Sequence, residues 1–236
     1  MSVRLEVDGS VAHIIIAAPP LNIYDVEMRD ALIDAVALVR DVHEICALVI
    51  RPDGPSSGAG ADVREFGNAD SVVDARRIRW DRDPWLLLSN LEVPTIAVLR
   101  GVCYGSALEL ALHCDLRIAA PDAQLCLPET RLGMIPAAGA TQTAAKWIGA
   151  DATYPIVLTA EKIEIGRASA LGLVHAVVDD PDGHAIGVAR DLARRSRTTW
   201  SAVRIALRAA LDLPLEQGLV VERRQAQILR SSTSAG

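Results

Sequence analysis

Residues 101–115 read GVCYGSALELALHCD, a glycine-bounded turn running into an apolar helical segment that carries one acidic side chain, Glu109. Its neighbours Leu108, Leu110, Ala111 and Leu112 place that carboxylate where a core residue is expected. Burying a carboxylate is costly unless something compensates it. The choice is between a functional acid and one half of a satisfied structural pair.

Outward from this segment, the chain alternates strands and helices. Thr95 follows Pro94 and opens an apolar strand over 95–99 that leads directly into Gly101. On the other side, 116–119 and 124–127 read as short strands, and Pro128-Glu129 opens a turn. Gly133, Pro136 and Gly139 then punctuate a loop that enters a helix near 141–148. Towards the N-terminus, 45–50 is a short, almost wholly apolar strand, separated from the central segment by GPSSGAGA at 54–61. That stretch reads as a tight functional loop in preference to a linker, because it is short and bounded by structured segments. Residues 3–7 and 11–17 form a hairpin about Asp8-Gly9-Ser10. Asp25 caps a helix whose apolar residues Met28, Leu32, Ala35, Val36 and Val39 recur at helical spacing. Arg76, Arg77, Arg79 and Arg82 are expected on a solvated helical face.

Beyond Ala150 the chain reads as mostly helical, with a strand-like run at 173–178 and helices at 184–195, 201–213 and 214–229. The polar stretch 230–236 is expected to fray. This order is that of an α/β chain built from ββα units. It divides into a core over 1–180 and a helical region over 181–236 that is not an independent domain.

Composition narrows the function. With 236 residues, 50% of them apolar, the chain can bury a full core. A net charge of −6 without a dense basic run argues against nucleic acid as a partner. Lys146 and Lys162 are the only lysines, so anion contacts are expected to fall to arginine. Cys46, Cys103, Cys114 and Cys126 lack metal spacing and sit in or beside apolar runs, which suits a reduced, cytoplasmic protein. No metal ligand set, membrane span or signal core is apparent.

Three features can act together: Ala61 at the end of the glycine-rich loop, Gly105-Ser106 at a helix start, and the carboxylates Glu109 and Glu129. Backbone N–H groups at a helix N-terminus are unpaired and suit a developing oxyanion. Two carboxylates can divide proton work between water and carbon. Glu129 taken alone reads better as an ordinary first-turn glutamate, the commoner case.

The blocks GAGADVREF at 58–66, GSALELALHCDLRIA at 105–119, AQLCLPETRLGMIPAAGATQ at 123–142 and LTAEKIEIGRASALGLVHAVV at 158–178 resemble, in order, those of the crotonase (enoyl-CoA hydratase/isomerase) superfamily. The resemblance implies a spiral of ββα units with a helical C-terminal trimerisation region, assembled as a homotrimer or homohexamer. It implies an acyl-CoA substrate from fatty acid metabolism and no cofactor. Ala61 and Ser106 match the two backbone oxyanion-hole positions, and Glu109 and Glu129 the acids of the two-glutamate hydratase branch. Ala137 falls at a glycine position that helps hold water, and Ala59, Asp62 and Arg64 at or beside CoA-contacting positions. The implied reaction is addition of water to an α,β-unsaturated thioester, with Glu129 protonating Cα and Glu109 activating water. Isomerisation, thioester hydrolysis and C–C cleavage are alternatives on the same scaffold, as is a catalytically silent acyl-CoA-binding or assembly partner. The departures are Ser106 and Ala107 in the glycine triplet, Ala137, a missing basic residue before Pro19-Pro20-Leu21-Asn22, and a chain ending about where relatives continue into a final helix. His113, one helical turn from Glu109, is within reach of a hydrogen bond to it but reads better as a core or surface residue.

Overall fold

The computed structural model describes residues 2–67, 71–73 and 83–233. The four arginines at 76, 77, 79 and 82 lie outside them. The hairpin forms as expected: β1 (Val3–Asp8) and β2 (Val11–Ile16) pair antiparallel in register Val3 to Ile16. The capped helix α1 (Val26–Asp41) follows, with Asp25 Oδ1 accepting the Met28 N–H at 2.8 Å. Parallel strands β3 (Ala47–Pro52), β4 (Thr95–Leu99), β6 (Leu116–Ala119) and the two-residue β8 (Ala176–Val177) extend the sheet in the order β1-β2-β3-β4-β6-β8. A separate parallel pair, β5 (Val102–Tyr104) with β7 (Gln124–Cys126), was not legible as strands at β5, where glycines flank only three residues.

The continuous apolar runs at β3 and β4 arise because both faces of the sheet are covered. Ala12, Ile14, Leu48, Ile50, Ala97 and Leu99 face the main core with α1, α2 (Pro84–Ser89) and α3 (Ser106–Leu112). Val11, Ala47, Val49, Ile96, Val98 and Ile118 face a smaller core closed by Ala185 and Ala189 of α7 (Pro181–Leu192). α4 (Ala140–Ile148), α5 (Ala150–Thr159) and α6 (Ile165–Ala170) lead from the loop after β7 to β8. The long helices α8 (Arg197–Asp212) and α9 (Leu215–Thr233) pack on each other. α9 continues to Thr233, so part of the stretch expected to fray is helical. Leu207, Leu215 and Val220 remain exposed on this pair. Among the described residues no helix is long and apolar enough to cross a membrane.

Arginines are used inside the protein more than expected. Arg117, in the middle of β6, is fully buried; its Nε donates to Leu173 O at 2.7 Å and its Nη1 to Cys114 O at 2.8 Å and Ala111 O at 3.3 Å. The guanidinium also lies 4.2 Å from the Trp147 ring centre. Burial pushes its pKa down to about 10, which leaves it cationic at neutral pH. Arg197 donates to Val39, Arg40 and Val42 carbonyls at the C-terminal end of α1, and Arg204 Nε to Leu91 O at 3.0 Å. These three side chains satisfy carbonyls left over at helix and strand ends.

Replacing Arg117 by Met keeps the bulk but removes the guanidinium donors from Leu173 O and Cys114 O and leaves Ala111 O with backbone N–H groups alone. The expected cost is about 3 kcal/mol, read as a lower urea midpoint at unchanged slope. A midpoint equal to that of the parent chain would contradict this account of Arg117.

Candidate active site

The site is assembled by backbone pairing between the glycine-rich loop and β5. Gly58 N–H donates to Val102 O at 2.8 Å, and Tyr104 N–H returns to Gly58 O at 2.9 Å. Ser57 N–H donates to Arg100 O, and Ser57 Oγ accepts from Arg100 N–H at 2.8 Å. From the other side the loop is held by Asn22, which is wholly buried with φ 44°. Its Nδ2 donates to Ser56 O at 2.7 Å and its Oδ1 accepts from Ala18 N–H at 2.8 Å, while Ala59 N–H donates to Leu21 O. Asn22 was noted in the sequence only as the last residue of Pro19-Pro20-Leu21-Asn22; its signal is the turn after Pro19-Pro20, where asparagine tolerates a left-handed backbone. Gly58 admits no side chain, since a Cβ there would sit 2.7 Å from the Tyr24 ring and 2.8 Å from Ala107 Cβ.

This pairing sets Ala61 beside the start of α3. Gly105 has φ 52° and ψ −123°, and its own N–H is taken by Cys126 O. The N–H groups of Ala61 and Ser106 have no acceptor among the described residues, and both residues line one cavity of about 400 Å³. Trp85 Nε1 donates to Ser106 O at 3.2 Å and fixes the first turn of α3 against the core.

Both carboxylates open on the same cavity. Glu109, 2% exposed, is held from the segment 137–140: its Oε1 accepts the N–H groups of Ala138 at 2.8 Å and Ala140 at 3.2 Å. Two converging N–H donors suit an ionised carboxylate, which only accepts. The cost of burial is thus met by main chain, a compensation no residue type could announce. Glu129 begins a 3₁₀ turn, Glu129–Leu132, after β7, and its Oε1 lies 2.8 Å from where a Cβ on Gly105 would stand. Ala137 lines the same cavity.

The rest of the lining is apolar: Val63, Phe66, Leu132, Met134 and Ile135. Of the segment 66–90 only Phe66 lines the cavity among the described residues, and the turn at 132–135 supplies more. Ala59 lines the cavity, whereas Asp62 and Arg64 do not. The Arg64 guanidinium folds back on Asp62, with Nη2 to Oδ2 at 2.6 Å, and holds that carboxyl down at about 2. His113 does not bond Glu109; it contacts Ser89 Oγ and Ala138 O instead. The Cys103 and Cys114 thiols, buried behind α3, are pushed up to about 12 and stay neutral. Among the described residues no three His, Cys, Asp or Glu side chains converge as a metal site.

Comparison with known proteins agrees with this geometry. The family model described as enoyl-CoA hydratase/isomerase matches residues 6–235. The candidate enoyl-CoA hydratase of Bacillus subtilis (strain 168) is 32% identical over 82% of this chain and 75% of its own length. The mitochondrial methylglutaconyl-CoA hydratase of Mus musculus is 30% identical over 80% of this chain, which spans 62% of that relative. A candidate enoyl-CoA hydratase from Thermobifida fusca YX, solved in complex with CoA, superposes with a TM-score of 0.91 at 25% identity, covering 100% of this chain and 95% of that one.

Gly105 offers a test of how tightly Glu129 is packed. Gly133, left-handed at φ 72° and ψ 22° with open space about it, escapes both the close approach of Glu129 and the φ 52°, ψ −123° backbone of Gly105. Gly105→Ala is expected to cost at least about 1 kcal/mol more than Gly133→Ala, a difference of about 2–4 °C in melting temperature. Equal melting temperatures would show that Glu129 moves aside freely.

Proposed function

The chain belongs to the enoyl-CoA hydratase/isomerase family, and from that premise we propose that it adds water across the double bond of an α,β-unsaturated acyl-CoA thioester. The observation that carries the reading is the meeting of two carboxylates from separate elements with two unengaged N–H groups in one cavity.

In this mechanism the Ala61 and Ser106 N–H groups receive the thioester oxygen. The water oxygen bonds to Cβ, the double-bond electrons move onto the thioester as an enolate, and negative charge grows on that oxygen. Donors already in place stabilise the charge without reorganising. Glu109, its Oε1 fixed by Ala138 and Ala140 N–H, holds and activates the water, and Glu129 delivers the proton to Cα. One water supplies both the hydroxyl and the net proton, and no redox group or metal enters. Retention of both acids supports hydration over isomerisation. The apolar wall of Phe66, Leu132, Met134 and Ile135 receives the acyl chain. Ala59, Asp62 and Arg64 border the path of the CoA moiety, where the Asp62–Arg64 pair opens so that the arginine can meet a phosphate. The CoA-bound Thermobifida relative supports a CoA thioester as substrate. The exposed apolar residues of α8 and α9 support assembly into a trimer or hexamer.

The test follows the loss of conjugated-thioester absorbance with crotonyl-CoA and with longer, branched and aryl enoyl-CoAs. Saturable loss is expected, with Glu129→Gln lowering kcat by about 10²-fold or more. No turnover across the panel, with CoA esters failing to raise the melting temperature, would overturn the hydratase reading.

A further inference from the structure

His113 lies at the C-terminal end of α3, on the segment that carries Glu109, and its ring bonds Ser89 Oγ and Ala138 O. One ring nitrogen meets Ser89 Oγ and the other, Nε2, lies 2.9 Å from Ala138 O. A carbonyl oxygen only accepts, so Nε2 carries the hydrogen and donates to Ala138, and in the neutral ring Nδ1 accepts from the Ser89 hydroxyl. Burial lowers the pKa of His113, which keeps the ring neutral.

The peptide that His113 grips is the one that grips Glu109. Ala138 presents its carbonyl to His113 and its N–H to Glu109 Oε1, and Ala140, two residues on, supplies the second donor to the same oxygen. Between them Gly139 has φ 112°, and a Cβ there would stand 2.4 Å from His113 Nε2. The imidazole therefore occupies the space a side chain at 139 would need. Ser89, at the end of α2, ties the other side of the ring to the core.

We propose that His113 is a positioning residue: through the Ala138 carbonyl it holds segment 138–140 so that two N–H groups fix Glu109 for its water. The inference rests on the hydratase reading for its kinetic consequence, and on geometry alone for its structural one. Glutamine can place a side-chain N–H where Nε2 stands, whereas methionine fills similar space with no donor. His113→Met is expected to lower kcat at least tenfold with KM within about twofold, because the thioester contacts at Ala61 and Ser106 are untouched. His113→Gln is expected to keep kcat within about threefold. Amide hydrogen exchange across 138–140, followed by mass spectrometry on the full chain, is expected to speed up in His113→Met and not in His113→Gln.

Equal losses in the two variants, or His113→Met with unchanged kcat, would overturn the proposal. So would unchanged exchange in His113→Met. Absence of enoyl-CoA turnover in the parent chain would count against the hydratase reading alone, and exchange would then decide the role of His113.

Discussion

A seven-residue helix buried on every side, with the N–H groups at its start facing a cavity, still has to satisfy the carbonyls at its end. That is the constraint on α3, and Arg117 meets it together with Trp147, whose Nε1 donates to Leu112 O at 2.9 Å. Water cannot reach the carbonyls of Ala111 and Cys114, so a five-donor guanidinium takes them and adds Leu173 O, tying the helix to the turn before β8. With the C-terminal end secured, the first turn can present Ser106 N–H to a cavity. The same economy appears where Arg197 collects the last carbonyls of α1.

The site is built from main chain more than from side chains. In the proposed reaction Ala61, Ser106, Ala138 and Ala140 act through N–H groups, and only Glu109 and Glu129 act through their own side-chain chemistry. Main-chain groups do not depend on residue type, so Ser106 keeps its N–H donor where the resemblance to the family places glycine. The demand falls instead on residues that control the backbone. Gly58 and Gly105 cannot carry a Cβ without meeting Ala107 or Glu129, and Asn22 pins the loop at Ser56. Around the cavity, rigidity comes from small residues in close contact and from polar side chains that serve backbone groups at one remove.

Much of the fold was legible in the chain because local rules and packing agree there. The hairpin, the Asp25 cap and the strand at 95–99 each follow from turn chemistry or from burial on both faces of a parallel sheet. β5 was not legible, since three residues between two glycines carry no period; its partner lies some twenty residues further on, at β7. The end of α9 was misread for a related reason: a polar helix packed on one neighbour has the composition of a tail.

The sequence by itself determined the family and the order of the elements, and it singled out Ala61, Gly105, Ser106, Glu109, Glu129 and Ala137, which the fold brings to one cavity. It did so because their types and spacing lie within short contiguous blocks. The tertiary structure alone decided what makes a buried carboxylate tolerable, that Arg64 folds onto Asp62, and that His113 serves Ala138 in place of Glu109. Each of these is a contact with a backbone atom or a direction taken by a side chain. Neither has a residue letter, so neither exists until the chain has closed on itself.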